Sequence, residues 1–456
     1  MALGMIAMLL TACSHSDSRP DLARLYAHDN QTPDAPPVIV IHGLAGSTLV
    51  DAKTGKQFWP GSLSTLAFSN YRDLARMSSE DREGEGLVPG DLFYGIAGVD
   101  FYSALIKSLE TVGRFQRSTP GHPVGEQRRR YYVLLYDWRK DNIEAVKRLH
   151  TMIEQIRLDY HDPALRVDII AHSNGGLIAN YYLHYGPTDV LEQATFTPWH
   201  EGDQRVRRLV MLGTPNLGSV VSLQRLLYGL KIGFRTVPVE VLATFSTPFQ
   251  ALPHPLFQSV IDHNGQTVPL DIYNPALWRD RQWSVFSPEV GARVRSSMDS
   301  AEAGEAALQA LQSGFDRNLH RALRLQLALS VPLPTKKLRI AIFGGDCKLT
   351  QSHAVLMQDG NHSYLEFDPA KVSPRLVDEK GKHHSAIDFE RLMLEPGDGL
   401  VTRSSQVATE INNLDEARQQ LDYLPDSQSF FLCEQHGQLT SNLYFQNNLL
   451  YFLLSR

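Results

Sequence analysis

One segment in the middle of the chain constrains its fold more than any other. From Asp168 to Leu177, a buried strand leads into a tight turn and then a helix, with Ser173 at the apex of the turn. Ala171 and Gly175, two positions on either side of the serine, are small, as they must be where strand and helix approach closely. The pattern predicts a nucleophile elbow, and a serine that only caps a helix is the alternative.

Continuous apolar runs recur on both sides of the elbow and predict further strands of one parallel sheet. Runs of this kind suit strands that are buried on both faces. Stretches with apolar residues at helical spacing, such as residues 141–160, separate them, and this alternation indicates a doubly wound sheet. The predicted strands are Pro37 to Ile41, Tyr131 to Tyr136, Arg166 to Ala171, Arg208 to Leu212, Lys337 to Phe343 and Phe430 to Cys433.

The alternation stops between residues 216 and 335, and this interruption predicts an inserted cap or lid. An amphipathic helix over about 300–329 closes the segment. We therefore assign residues 36–215 and 336–456 to one α/β core, which ends in a predicted helix over 443–454. With 456 residues and 43% hydrophobic composition, the chain is large enough to bury both a core and a cap.

The N-terminus has the pattern of an export signal followed by a tether. Met1 to Leu10 is almost wholly apolar but too short to span a bilayer, and Leu10 to Cys13 matches a bacterial lipoprotein processing site. We expect residues 1–13 to be a signal peptide that ends at a lipidated Cys13, and residues 14–35 to be a tether. The protein would then be an outer-membrane lipoprotein of the bacterial envelope that faces the periplasm. An uncleaved apolar N-terminus with a chance cysteine is the alternative.

With Cys13 assigned to a lipid, Cys347 and Cys433 are the remaining cysteines. Two cysteines in a protein exported to an oxidising compartment predict a disulfide, and each of these two lies just beyond a predicted strand. Two free buried cysteines are the alternative.

Charge and residue spacing argue against several classes of partner. The net charge is −6 and no long basic stripe is present, so nucleic acid is not an expected partner. No cluster of His, Cys and carboxylate residues has the spacing of metal ligands. We expect no metal and no cofactor.

A serine nucleophile needs donors for an oxyanion as well as a base. In an elbow of this kind, one donor is the amide after the nucleophile, here that of Asn174, and the other lies in the loop after an earlier strand. That loop is residues 42–47, whose glycines let the backbone turn toward a substrate. Leu44 or Ala45 is therefore the expected second donor.

The order serine, acid, histidine places the base near the C-terminus, after the last strand. His436 occupies that position. The acid has two candidates, since Asp346 closely follows the strand that ends at Phe343, whereas Asp398 lies in a tight turn flanked by glycines. The pattern alone leaves both open.

Several segments together resemble the lecithin:cholesterol acyltransferase family and its bacterial lipase-like members. The serine motif alone would be unspecific, but the matches keep the family's order over roughly 400 residues. The matching segments are Pro37 to Leu49, Thr54 to Gly61, Tyr136 to Arg139, Ala171 to Gly176, Gly213 to Ser219, Gly397 to Val401 and His436.

The resemblance implies an α/β-hydrolase fold: a mostly parallel central sheet with helices on both faces and an inserted cap. It implies Ser173 as the nucleophile, Asp398 rather than Asp346 as the acid, and His436 as the base. Trp59 is expected to line the acyl site, with a position in the core as the alternative. Residues 136–139 are interpreted as a structural turn after a strand rather than as catalytic.

The implied activity is that of a lipid acyl-ester hydrolase or O-acyltransferase that acts through an acyl-enzyme on phospholipid or other fatty-acyl esters. The expected partners are a lipid substrate and, through the N-terminal lipid anchor, a membrane. A catalytically inactive scaffold that serves as an envelope binding protein is one alternative. An esterase or amidase with non-lipid substrates is another.

Aromatic residues in the cap have two interpretations. They either shield an acyl-enzyme from water and hold a lipid acceptor, or pack between cap and core. The residues concerned are Phe245, Phe249, Phe257, Trp278 and Trp283.

Overall fold

A computed structural model of the protein describes most of the chain. Cys13, the signal peptide and part of the tether lie outside the described residues, so their roles stay predictions. The described residues are 19–28, 34–61, 69, 71–76, 86–96, 99–232, 235–335, 337–360, 362–372, 376–377, 383–384, 387–408 and 427–454.

In the described part of the chain, a sheet of seven parallel strands forms the centre of the fold. In chain order the strands are β1 (Val38–Ile41), β2 (Gln116–Arg117), β3 (Arg130–Leu134), β4 (Val167–His172), β5 (Val206–Leu212), β6 (Arg339–Gly345) and β7 (Gln428–Leu432). Their spatial order is β7-β6-β5-β4-β1-β3-β2. The predicted strands are all present, and β2 is an addition whose two residues are too few to show a period.

The longer helices begin where capping side chains are available. The Asp141 carboxylate accepts from the Ile143 amide, and Ser300 accepts from the Ala303 amide, so the predicted helix over 300–329 begins directly after Ser300. None of the helices within the described ranges is both long and apolar enough to cross a bilayer. The longer helices are α1 (Asn142–Asp159), α2 (Asn174–Tyr185), α3 (Val220–Tyr228), α4 (Ala301–Leu329) and α5 (Leu443–Leu454).

Both faces of the sheet are covered. Ile39 and Ile41 of β1 pack on the side of α1 and α2, whereas Val38 and Val40 pack on the side of α5. All four are at most 1% exposed, because successive strand residues point to opposite faces and both faces carry helices. This explains why the strand sequences are apolar throughout rather than alternating.

Residues 216–335 build a second apolar core above the sheet. It contains Trp278, Trp283 and Phe315, and it also takes up Ala354 and Leu365, which follow β6 in the chain. Our assignment of all residues after 335 to the α/β core therefore missed a part that packs with the cap. Antiparallel pairing of strands Ala354–Asp359 and His362–Glu366 carries these residues there.

Smaller elements complete the fold. Beside the loop after β1 lies an antiparallel sheet of Ser47–Asp51, Gln57–Trp59 and Leu87–Leu92. The other short strands are Gly95–Ile96, Val99–Asp100, Leu230–Ile232, Arg235–Val237, Val260–Ile261, Lys348–Gln351, Leu376–Val377, His383–His384 and Leu394–Gly397. The short helices and helical turns are Leu22–Leu25, Arg72–Leu74, Ser103–Lys107, Ser108–Val112, Gly202–Arg205, Val239–Leu242, Thr247–Gln250, Pro275–Asp280, Ser284–Phe286, Pro288–Ser296, Pro369–Val372, Phe389–Met393, Arg403–Val407 and His436–Ser441.

Candidate active site

Ser173 lies between β4 and α2, at the carboxyl edge of the sheet. Its backbone angles are φ 55° and ψ −124°, a region that residues other than glycine rarely adopt. The Ser173 amide donates to the Leu212 carbonyl at the end of β5, at 2.7 Å, which ties the turn to the neighbouring strand. The strand, turn and helix predicted around this serine are therefore present.

Three side chains from three loops at this edge form a chain of hydrogen bonds. His436 Nε2 lies 2.9 Å from Ser173 Oγ, and His436 Nδ1 lies 2.8 Å from Asp398 Oδ2. The Asp398 carboxylate is buried, and its Oδ1 accepts from the amides of Leu400 and Val401 at 2.9 and 2.7 Å. With an ionised Asp398, Nδ1 carries the proton and the Nε2 lone pair faces the serine hydroxyl.

Asp346, the other candidate acid, stands apart from this chain of hydrogen bonds. Its side chain is partly exposed at the end of β6 and lies 3.7 Å from Arg403. The space beside His436 is taken by Asp398, because Gly345 lets the turn approach: a Cβ on Gly345 would lie 2.7 Å from the Asp398 Cβ. The structure brings Asp398, and not Asp346, to the histidine.

The loop after β1 lies directly against the serine. A Cβ on Gly43 would lie 2.8 Å from the Ser173 Cβ, so only glycine permits this approach. The Gly43 amide donates to the Tyr102 hydroxyl at 2.9 Å. Within the described ranges, the amides of Leu44 and Asn174 have no acceptor, and the Asn174 amide lies at the N-terminus of α2, where the helix dipole is positive.

Ala45 and Trp59 shape the same loop. Ala45 has φ 61°, and its carbonyl accepts from the Trp59 indole at 2.9 Å. Trp59 is only 6% exposed, yet it lines the pocket at Ser173. The indole therefore combines the two alternatives that the sequence left open, a place in the core and a place at the site.

Residues 136–139 support this loop from behind. The Tyr136 hydroxyl donates to the His42 carbonyl at 2.8 Å, and the Trp138 indole donates to the Ser47 carbonyl at 3.0 Å. Arg139 and Asp137 form a buried ion pair at 2.7 Å. These contacts agree with the structural interpretation of the segment.

Two buried residues that the sequence analysis did not assign join the loop to the histidine. Tyr102 Oη lies 2.8 Å from His172 Nδ1, and His172 Nε2 lies 3.3 Å from the His436 carbonyl. Because the Tyr102 oxygen accepts from the Gly43 amide, its own proton goes to Nδ1, and His172 donates from Nε2. Burial and the neighbouring His436 lower the pKa of His172 to about 3, so this imidazole stays neutral.

A pocket of about 230 Å³ opens at Ser173. We call the side formed by residues 44–46, 172–174, 400–401 and 436–437, together with His42, Tyr102 and Asp398, which contact these residues, the sheet wall. The side formed by residues between 219 and 251 is the cap wall. Apolar side chains of the lining include Leu44, Trp59, Phe93, Phe101, Leu230 and Leu242.

The five cap aromatics singled out in the sequence, Phe245, Phe249, Phe257, Trp278 and Trp283, do not line this pocket. Phe249 and Trp278 are fully buried and pack edge-on against Phe315, at 4.8 and 4.9 Å between ring centroids. Of the two interpretations given for these rings, the structure therefore favours packing over shielding of an acyl-enzyme. Trp278 and Trp283 contact each other inside the cap, whereas Phe245 packs edge-on against Trp138 of the core. The cap wall carries aliphatic and hydroxyl side chains together with Arg225.

Cys347 and Cys433 form a disulfide. They follow β6 and β7, and these neighbouring strands place Gly345 opposite Leu432. Cys433 precedes His436 by one short turn, so the bridge anchors the loop that carries the histidine.

The sheet, the helices on both of its faces and the serine elbow define an α/β-hydrolase fold. The chain superposes on a chain of the Tle4–Tli4 complex with a TM-score of 0.53 at 13% identity, over 92% of this chain and 98% of the other. A weaker superposition on Staphylococcus hyicus lipase has a TM-score of 0.32 at 14% identity, over 93% and 96% of the two chains. Within the described residues, no group of three or more His, Cys, Asp or Glu side chains is arranged to hold a metal ion.

Within this class, the family model of lecithin:cholesterol acyltransferase matches residues 123–272, which include the elbow. An uncharacterized protein of Saccharomyces cerevisiae is 29% identical over 148 residues, which are 32% of this chain and 20% of the relative. The chain thus spans about a fifth of the length of that curated relative. Over residues 123–272 the chain is similar to this family, and its fold is that of an α/β-hydrolase, as the resemblance implied.

Proposed function

We propose that the protein is a serine-dependent hydrolase or O-acyltransferase of lipid acyl esters, with Ser173 as nucleophile, His436 as base and Asp398 as orienting acid. The observation that carries the proposal is the unbroken contact from hydroxyl to imidazole to carboxylate, at 2.9 and 2.8 Å, on a strained elbow beneath an apolar pocket. The match to the acyltransferase family supports the same class of reaction.

The reaction begins when Ser173 Oγ attacks the ester carbonyl and His436 Nε2 takes the hydroxyl proton. Asp398 keeps the Nδ1 proton in place and stabilises the imidazolium. The amides of Asn174 and of Leu44 or Ala45 donate to the oxyanion. The tetrahedral intermediate collapses, the alcohol leaves with the proton from His436, and the acyl group stays on the serine.

The second half of the reaction uses the same groups. His436 removes a proton from water or from an acceptor alcohol, whose oxygen then attacks the acyl-serine. The bond between the acyl carbon and Ser173 Oγ breaks, and His436 returns the proton to Oγ. Water yields a free fatty acid, whereas an alcohol yields a new ester. The family's name, which describes acyl transfer from lecithin to cholesterol, supports a phospholipid as the acyl donor.

The test is labelling with a fluorophosphonate probe, together with hydrolysis of phospholipid followed by lipid mass spectrometry. Ser173→Ala should abolish both, with a loss of several powers of ten in rate. Ser429→Ala, on an exposed position of β7, is the matched control and should change neither. Full activity in the Ser173 variant, or a wild type that never reacts with the probe, would rule out the serine mechanism and favour an inactive binding scaffold.

We also propose that Cys13 is lipidated and anchors the protein in the bacterial envelope, next to such substrates. The pattern from Leu10 to Cys13 supports this, although it lies outside the described residues. The wild type should sediment with membranes and show a lipid-modified Cys13 by mass spectrometry, whereas Cys13→Ser should not. A soluble wild type with an unprocessed N-terminus would contradict the anchor.

A further inference from the structure

One fully charged side chain lines the pocket at Ser173. Among the described residues of this lining, Arg225 is the sole Asp, Glu, Lys or Arg. It lies on α3, in the cap wall. The rest of the lining consists of apolar residues, hydroxyls, histidines, an asparagine and glycines.

Arg225 is partly buried, and it differs from other arginines of this region in having no counter-charge among the described residues. Arg139, Arg293 and Arg321 each contact a carboxylate, at 2.7, 2.9 and 2.6 Å. The Arg225 guanidinium makes no hydrogen bond or ion pair to any residue that the structure describes. Burial alone lowers its pKa to about 10, so it remains a cation at neutral pH.

A second donor lies one helical turn before it. Ser222 and Arg225 are three residues apart on α3, a spacing that places side chains on one face, and both line the pocket. The Ser222 hydroxyl has no hydrogen-bond partner within the described ranges. Ser219, one turn earlier, is already engaged, since its hydroxyl donates to the Leu400 carbonyl at 2.5 Å.

A partly desolvated cation without a partner among the described residues is costly, and an anionic ligand would offset that cost. Guanidinium groups suit this purpose, because their planar array of donors matches the oxygens of a phosphate. The acyl chain of a substrate is apolar, and the acyl carbonyl belongs at Ser173. The anion must therefore sit on the alcohol part of the ester.

We propose that Arg225, assisted by Ser222, is the specificity-determining residue that binds a phosphodiester on the alcohol part of the substrate. The pocket then selects acyl esters that carry this anion over uncharged glycerides with the same acyl chains. This inference rests on the proposed function, because it assumes that Ser173 attacks an acyl ester in the same pocket.

The test compares two soluble esters below their aggregation limits: dihexanoyl glycerophosphomethanol, which carries a phosphodiester, and dihexanoylglycerol, which carries no charge. Arg225→Met should lower kcat/KM for the phosphodiester about tenfold to a hundredfold, mainly through KM, and leave the neutral ester within about threefold. Arg225→Lys should keep part of the preference, because lysine preserves the charge without the planar donor array. The melting temperature of Arg225→Met should not fall, since the variant removes a partly buried charge that has no counter-charge among the described residues.

Binding provides a readout that does not depend on turnover. Calorimetry should detect the phosphodiester on Ser173→Ala, and its Kd should rise about tenfold or more in Ser173→Ala/Arg225→Met. Equal losses on both esters, or an unchanged Kd, would overturn the role of Arg225. If the wild type cleaves neither ester and ignores the fluorophosphonate probe, the proposed function fails instead, and the binding comparison still decides the anion site.

Discussion

The two walls of the pocket at Ser173 are built in opposite ways. In the sheet wall, the side chains around the serine are joined by hydrogen bonds, from Asp398 through His436 and from Tyr102 through His172. In the cap wall, aliphatic and hydroxyl side chains accompany one cation, Arg225, which has no hydrogen-bond or ion-pair partner among the described residues. The contrast suggests a division of labour: the sheet wall holds groups in fixed positions for chemistry, and the cap wall leaves a charge available for a ligand.

The largest effect should come from breaking the sheet wall at Asp398. Asp398→Asn removes the carboxylate that holds the His436 tautomer, and kcat should fall on the order of 10⁴-fold. Asp346→Asn is the matched control, since Asp346 is partly exposed and faces Arg403, and its kcat should stay close to that of the wild type. Steady-state kinetics on a soluble ester decide the point, and a crippled Asp346 variant would reverse the assignment.

Acid pH should reveal how much of the sheet wall depends on neutral histidines. Burial lowers the pKa of His42 from 6.5 to about 4. As the pH falls below 6.5, the unfolded chain takes up a proton that the folded state excludes, so stability is lost, by about 3 kcal/mol near pH 4 for this one group. Chemical denaturation of the wild type and His42→Asn between pH 7 and pH 4 should show the steeper loss in the wild type, and parallel curves would contradict the linkage.

Removal of the Tyr102 hydroxyl should have a smaller effect on the sheet wall. Tyr102→Phe leaves the Gly43 amide and His172 Nδ1 without their common partner. The loop after β1 is then no longer linked by hydrogen bonds through His172 to His436. We expect kcat on a soluble ester to fall about tenfold with little change in KM. Tyr94→Phe, whose hydroxyl meets only Arg117 at the surface, is the control. An equal fall in both variants would make the effect nonspecific.

The smallest effect should come from trimming the cap wall. Leu230 lines the pocket and is partly buried, so Leu230→Ala removes apolar contact area for an acyl chain. We expect kcat/KM for a dodecanoyl ester to fall about threefold to tenfold more than that for a butanoyl ester. Leu349→Ala, at a position 61% exposed, should leave the ratio unchanged. A ratio that does not move in Leu230→Ala would mean that the acyl chain lies elsewhere.

The sequence predicted the sheet wall much better than the cap wall. The elbow at Ser173 is a local pattern, and the order of serine, acid and histidine follows the chain, so both can be read from residues alone. Asp346 and Asp398 could not be separated in this way, because each lies in a turn after a strand; only the family's motif favoured Asp398. Contacts such as Tyr102 with His172 join residues 70 positions apart and leave no local signal.

The cap resisted prediction for a different reason. Its aromatic residues are conspicuous in the sequence. Whether a buried ring faces a pocket or another ring, however, depends on tertiary packing, which leaves no periodic pattern in the sequence. That Arg225 has no partner among the described residues is likewise a property of its surroundings in the fold rather than of its neighbours in sequence. The predicted end of the cap at residue 335 does not include Ala354 and Leu365, which pack in the apolar core of the cap. They lie on short, partly exposed strands that carry no clear signal in the sequence.

The bridge between Cys347 and Cys433 has a consequence for the integrity of the molecule after cleavage. It spans 86 residues, and Asp398 lies within that span while His436 lies just beyond it. A protease that cut the chain once between the two cysteines would produce two fragments that remain one covalent molecule, with the histidine loop still fastened to the end of β6. Such a nicked protein would run as a single band until a reducing agent separated the pieces, and the acid and base would remain on fragments that are still covalently joined.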